Sequence, residues 1–157
     1  MIMASHYFLS CILTIKNITT TGENIAHYTV AMSGTYNVLG EGITVYNKAV
    51  HPLSFNTLAT KSVYLDCEVF VDPILDQHSG ANHQNLFDNI RVHLSPNKER
   101  SYPLFGGGGA GYWKPSHGAY STFWNLKVNV LDGLNIEKPV LLNGMSDGPL
   151  ARIVGVN

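Results

Sequence analysis

Charge is scarce in this sequence. Only 13% of its 157 residues are Asp, Glu, Lys or Arg, and the formal net charge is −1, against a charged share of about 25% in ordinary domains. The ten Lys and Arg are scattered singly. No basic stripe exists to neutralise phosphates, which argues against nucleic acid and anionic membrane as electrostatic partners. Helical periodicity is missing as well: no window repeats apolar residues at i, i+3, i+4 and i+7 for three turns, while Gly, Asn, Thr and Pro recur. No apolar run reaches the roughly 18 residues of a membrane-spanning helix. The opening Met1-Ile2-Met3-Ala4-Ser5 lacks the basic stretch of an export signal. Cysteine is limited to Cys11 and Cys67. Both sit among apolar residues and read as buried thiols, with a disulfide between them left open.

What is present is strand signal. Cys11-Ile12-Leu13-Thr14-Ile15, Gly42-Ile43-Thr44-Val45-Tyr46, Ser62-Val63-Tyr64-Leu65, Ile90-Arg91-Val92-His93-Leu94 and Leu126-Lys127-Val128-Asn129-Val130 are short, alternating and β-branched or aromatic. Four ten-residue windows align, starting at Asn37, Lys61, Gln84 and Tyr120. Their third, seventh and ninth columns are mostly apolar and their eighth is polar throughout, and the starts are 24, 23 and 36 residues apart. A period in the low twenties with Asn- and Gly-rich corners predicts a β-solenoid, in which stacked coils share one apolar interior. Asn37, Asn47, Asn56, Asn89 and Asn125 suit its bends, because Asn tolerates left-handed backbone. A β-sandwich competes, but it would space its strands at about 8–12 residues without the longer register.

The interval of 36 residues holds Ser95-Pro96-Asn97-Lys98-Glu99-Arg100-Ser101-Tyr102-Pro103 and a Gly-rich run from Gly106 to Gly111. It predicts a loop over about 95–118 that leaves the stack, on the rule that long loops on rigid scaffolds carry function. The reading is all-β: one short parallel β-helix, residues 1–157, with a long Gly-rich loop insertion.

The coils from Tyr36 to Tyr46 and from Leu58 to Phe70, followed by Ile74-Leu75-Asp76-Gln77-His78-Ser79-Gly80, resemble the right-handed parallel β-helix proteins of the pectate-lyase-like superfamily. The stretch from Asp76 through Asn89, with His117-Gly118 and Phe123-Trp124-Asn125, is similar to the C-terminal region of bacterial polysaccharide-processing β-helix proteins. The resemblance covers roughly residues 28 to 130 and implies carbohydrate as the ligand class, in lyases, hydrolases, tailspikes and adhesins. The chain departs from the catalytic families, with no lyase-type Arg beside a Lys and Asp cluster and no Asp-Asp pair. It is also short for a complete enzyme of that fold, and the apolar run Arg152-Ile153-Val154-Gly155-Val156-Asn157 has no polar cap. It therefore reads as one module of a larger secreted or cell-surface protein.

Three constellations are candidates for function. Asp76, His78, Asn82, His83, Gln84 and Asn85 crowd into ten residues. They read as a patch for sugar hydroxyls, as a His and Asp acid/base pair, or as a solvated corner. A cation site from Asp72, Asp76, His78 and His83 matches no zinc or calcium spacing, so no metal and no cofactor is expected. The Gly-rich loop carries Tyr102, Tyr112, Trp113, Lys114 and His117. It lacks the Gly-Lys-Ser/Thr of a phosphate cradle. Tyr112 and Trp113 suit stacking on a sugar ring with Lys114 near an acidic group; alternatively Trp113 covers an open end of the stack. Trp124 is expected at a bend, exposed toward the His78 patch.

The expected function is noncatalytic binding of a polysaccharide, as a module appended to a polysaccharide-degrading enzyme. The rivals are a lyase or glycoside hydrolase using His78, His83 or His117 with Asp76 or Asp88, and a structural adhesin or tailspike coil. A homodimer through a coil end is a further expectation, since an open stack leaves strand edges uncovered.

Overall fold

The computed structural model describes residues 2–5, 12–78, 81–108, 114–131 and 139–156. In chain order the described strands are β1 (Ile2–Ser5), β2 (Leu13–Lys16), β3 (Thr19–Thr20), β4 (Ala26–Ser33), β5 (Val38–Glu41), β6 (Thr44–Val45), β7 (Ala49–Phe55) and β8 (Val63–Leu65). They continue as β9 (Glu68–Val69), β10 (Leu75–Gln77), β11 (Leu86–Asp88), β12 (Arg91–Leu94), β13 (Ser101–Tyr102), β14 (Thr122–Val130), β15 (Leu141–Leu142) and β16 (Arg152–Val156). Among the described residues a 3-10 turn spans Met145–Asp147 and no α-helix occurs.

The protein is all-β, and its sheets are parallel. One sheet runs β1-β4-β7-β10; a second runs β2-β5-β8-β11-β14 and returns through β12-β9-β6-β3, with β16 on β14; β13 and β15 form a third. Parallel neighbours cannot be joined by a hairpin. The chain instead visits three strand positions in turn, β4-β5-β6, β7-β8-β9 and β10-β11-β12, each triplet bonded to the one before.

The register reproduces the sequence alignment. Leu39 pairs with Val63, Val63 with Leu86, and Leu86 with Thr122. Both bends of each window fall where the alignment puts them. Asn37, Lys61, Gln84 and Tyr120 all have φ between 50° and 60°, and so do Asp66, Asn89 and Asn125, with Gly42 at 65°. Asn125 bends β14 so that its first half pairs with β11 and its second with β12. The Asn89 amide bonds the Asp66 carboxylate, and the Asn125 amide reaches Asn89 Oδ1 at 3.3 Å, a side-chain ladder up one corner. Asn47 and Asn56 are not left-handed. They act through their side chains instead, Asn56 Oδ1 accepting from the Thr57 N–H at 2.8 Å.

These bends also correct one expectation. Columns seven and nine are buried as expected, with Ile43, Cys67, Ile90 and Leu126 in one and Val45, Val69 and Val92 in the other. Column three is not: Leu39, Val63, Leu86 and Thr122 are half-buried. The core takes column four, Gly40, Tyr64, Phe87 and Phe123. A left-handed residue at column six interrupts the alternation of side-chain faces, so Cys67 does not share a face with Val63 and Leu65. Burial pushes the Cys67 thiol up to about 11, so it is an inert core group.

The column-four rings stack from level to level, Tyr64 on Phe87 at 5.6 Å and Phe87 on Phe123 at 5.1 Å between centroids. Gly40 makes room below them, since a Cβ there would stand 3.0 Å from Met32 and Ile43. The segment expected to leave the stack does not do so throughout. Tyr102, Leu104 and Phe105 are buried, and the Leu75 N–H donates to the Leu104 carbonyl at 2.8 Å. Residues 104–108 therefore run beside β10 as a further layer.

Candidate functional site

The four-stranded sheet carries a polar cluster set into this apolar frame. Tyr28 on β4 pairs in register with His51 on β7, and Ser54 on β7 with Asp76 on β10. Two residues past Asp76 comes His78, bridged to Gly108 on the covering segment. The Asp76 carboxylate is fully buried. Its Oδ2 accepts from the Ser54 hydroxyl at 2.6 Å and lies 2.8 Å from His78 Nδ1, which donates to it; its Oδ1 accepts from the Gly108 N–H at 2.8 Å. His51 Nδ1 stands 3.4 Å from the same Oδ2 but is not hydrogen-bonded to it.

The rings around the carboxylate form a compact set. Tyr28 stacks on His51 at 4.9 Å, and His51 meets His78 edge-on at 4.5 Å. His27 reaches the His51 ring at 5.2 Å. Burial alone would raise the Asp76 carboxyl. The adjoining His51 and His78 rings and the Ser54 hydroxyl outweigh it and hold the carboxyl at about 2. Asp76 is thus an anion at neutral pH, kept dry and oriented. The covering glycines explain how the site closes: a Cβ on Gly108 would fall 1.7 Å from His78 Cε1, and one on Gly107 would fall 2.3 Å from Ser116 Cβ. Gly107 and Gly108 serve close approach of backbone to side chain.

The other expected site residues separate. His83 and Gln84 are exposed and adjacent, His83 Nδ1 lying 3.2 Å from Gln84 Oε1. Asn82 and Asn85 are buried and face backbone. Asn82 donates to the His78 carbonyl at 2.8 Å, while Asn85 donates to the Ala59 carbonyl and accepts from the Ser62 N–H. His117 is buried against Phe123, its Nε2–H donating to the Phe105 carbonyl at 2.6 Å. The side chains of these three are enclosed, and each bonds a backbone carbonyl. Tyr102 is likewise core.

Lys114 is exposed and paired with Asp147 at 3.0 Å. Tyr112 and Trp113 lie outside the described residues. Trp124 is 49% exposed, next to Asp88 and Val154 on the ten-stranded sheet, whereas His78 belongs to the other sheet's end. Tyr28 and His51 escaped the sequence reading, although their spacing matches that of the aligned windows and the two pair in register. That spacing was the available signal.

No protein-family model, curated protein or solved structure matches the chain.

Proposed function

We propose that the chain is a right-handed parallel β-helix module that binds a polysaccharide, part of a secreted or cell-surface bacterial protein that processes such polymers. The circulating strand triplets at a period in the low twenties support the β-helix reading. The observation that carries the binding reading is the exposed aromatic pair Trp124 and Tyr120, 49% and 55% exposed, with Gln84 and His83 on the neighbouring level. Trp124 is held on β14 and Tyr120 on the turn before it, and exposed planar rings stack on the apolar face of a sugar. Adjacent imidazole and amide groups bond its hydroxyls. The ligand lies along the outer face of the ten-stranded sheet. Affinity electrophoresis of the intact chain through gels of neutral, acidic and sulfated polysaccharides tests this reading. Retardation by at least one polymer, lost in Trp124→Ala, is expected; equal mobility in every gel would overturn it.

A second reading is favoured by a specific observation, the 2.8 Å contact of His78 Nδ1 with the buried Asp76 anion. An imidazole oriented in this way carries a base at Nε2. A lyase or hydrolase would use it to take a proton from the sugar or from water. Product release from a polymer, abolished by Asp76→Asn, separates this reading from simple binding.

Association of two copies through the last strand is supported by Ile153, Val154 and Val156, each 40% exposed on β16. Light scattering that returned a monomer at all concentrations would remove that proposal.

A further inference from the structure

We infer that His51, Asp76 and His78 form a binding site for a first-row divalent cation of the zinc type. The three residues come from two adjacent strands and the bridge that follows. One ligand atom from each of the three residues lies within 4.8 Å of the others. This inference stands apart from the polysaccharide-binding reading, which concerns the other sheet, and shares His78 and Asp76 with the acid/base reading.

The hydrogen bonding of the cluster is incomplete without a fourth party. A carboxylate oxygen offers about two lone-pair sites, and on Asp76 Oδ2 these are taken by the Ser54 hydroxyl and His78 Nδ1. His51 Nδ1 is left over. His51 is only 9% exposed, and this nitrogen has no hydrogen-bond partner although it faces the carboxylate at 3.4 Å. A buried polar atom without a partner is costly and calls for an explanation. A cation among the three atoms supplies one, since it takes the lone pair of each.

The dimensions agree. Ligands about 2.1 Å from a tetrahedral ion stand about 3.4 Å from one another, and the present separations from Oδ2 are 3.4 Å for His51 and 2.8 Å for His78. Binding therefore asks His78 to retreat by about 0.6 Å. Its Nδ1 proton moves to Nε2 or to solvent, leaving the lone pair for the metal. Ser54 keeps its bond to Oδ2, and the Gly108 N–H keeps its bond to Oδ1, the outer partners that hold a metal-binding carboxylate in place. Two imidazoles and one carboxylate suit zinc, cobalt or ferrous iron; calcium and magnesium require oxygen donors. The His78 side chain remains 14% exposed, which leaves a side for water as fourth ligand.

The test uses the tag-free chain, stripped with a chelator and titrated with Co2+ while the visible d–d bands are recorded, and with Zn2+ by calorimetry. One equivalent is expected, with intense bands of a low-coordinate N/O site. His51→Ala should weaken uptake by more than the roughly 10–100-fold that loss of an outer partner costs. His93→Ala, which removes a ring stacked on Phe70 elsewhere on the surface, should leave it unchanged. Failure of the wild type to take up one equivalent would overturn the site, as would a folded His51→Ala protein that binds as tightly as wild type. If His51→Ala does not fold, X-ray absorption on the wild-type cobalt protein decides: two imidazole ligands are expected, and fewer than two refutes the assignment.

Discussion

The interior ladder and the polar cluster are built on the same repeat and treat it in opposite ways. Along the ladder each level repeats the one below, Tyr64, Phe87 and Phe123 in one column and Val45, Val69 and Val92 in another. On the four-stranded sheet the levels differ, with Tyr28, His51, Ser54, Asp76 and His78 brought together from three strands and a bridge. Uniform levels give each side chain a like neighbour above and below, so burial adds up without special geometry. Unlike levels place groups of different chemistry within hydrogen-bond reach, at the cost of burying an anion that needs partners. The chain is stable where it repeats and chemically capable where the repetition stops.

The largest test of that contrast is Phe87→Ala. It removes a ring packed between Phe55, Tyr64 and Phe123 and should cost about 3–5 kcal/mol, read as a fall in the denaturation midpoint. The cluster should show itself in acid. The Asp76 carboxyl is held at about 2 in the folded chain, below the roughly 3.9 of an unfolded Asp. Its contribution, about 2–3 kcal/mol by linkage, is therefore complete above pH ~4 and is lost as pH falls toward 2. Asp76→Asn should lower stability at neutral pH and flatten the acid limb of a pH-stability profile. An unchanged acid limb would mean that Asp76 is not the anion described here.

The corner ladder gives a smaller effect. Asn89 has φ 52°, so Asn89→Ala should cost about 1–2 kcal/mol from left-handed strain while Asn89→Gly stays close to wild type, as urea titration would show. The smallest effect belongs to the outer face. Trp124→Ala should change stability by no more than about 0.5 kcal/mol while reducing retention by polysaccharide. A large loss of stability there would assign Trp124 to packing.

Much of the architecture was legible because strand pairing preserves sequence period. The windows at Asn37, Lys61, Gln84 and Tyr120 became neighbouring levels with their register intact. The error over column three had a local cause. Alternation predicts faces only while the backbone stays extended, and Gly42, Asp66, Asn89 and Asn125 all leave that region. At the site, Asp76 and His78 were legible as a pair two residues apart. That Asn82, Asn85 and His117 turn their side chains to backbone carbonyls was not, because amides and imidazoles serve backbone and ligand with the same atoms.

By itself the sequence determined the scarcity of charge, the strand-forming segments, the period of the levels and the bends at Asn and Gly, since each depends on near neighbours in the chain. Only the tertiary structure decided that column four fills the core, that Gly108 lies against His78, and that His51 joins Asp76. Those contacts arise between paired strands, where the identity of a neighbour depends on how many residues separate one strand from the next that pairs with it. A change of one residue in that path would have presented a different side chain to the Asp76 carboxylate.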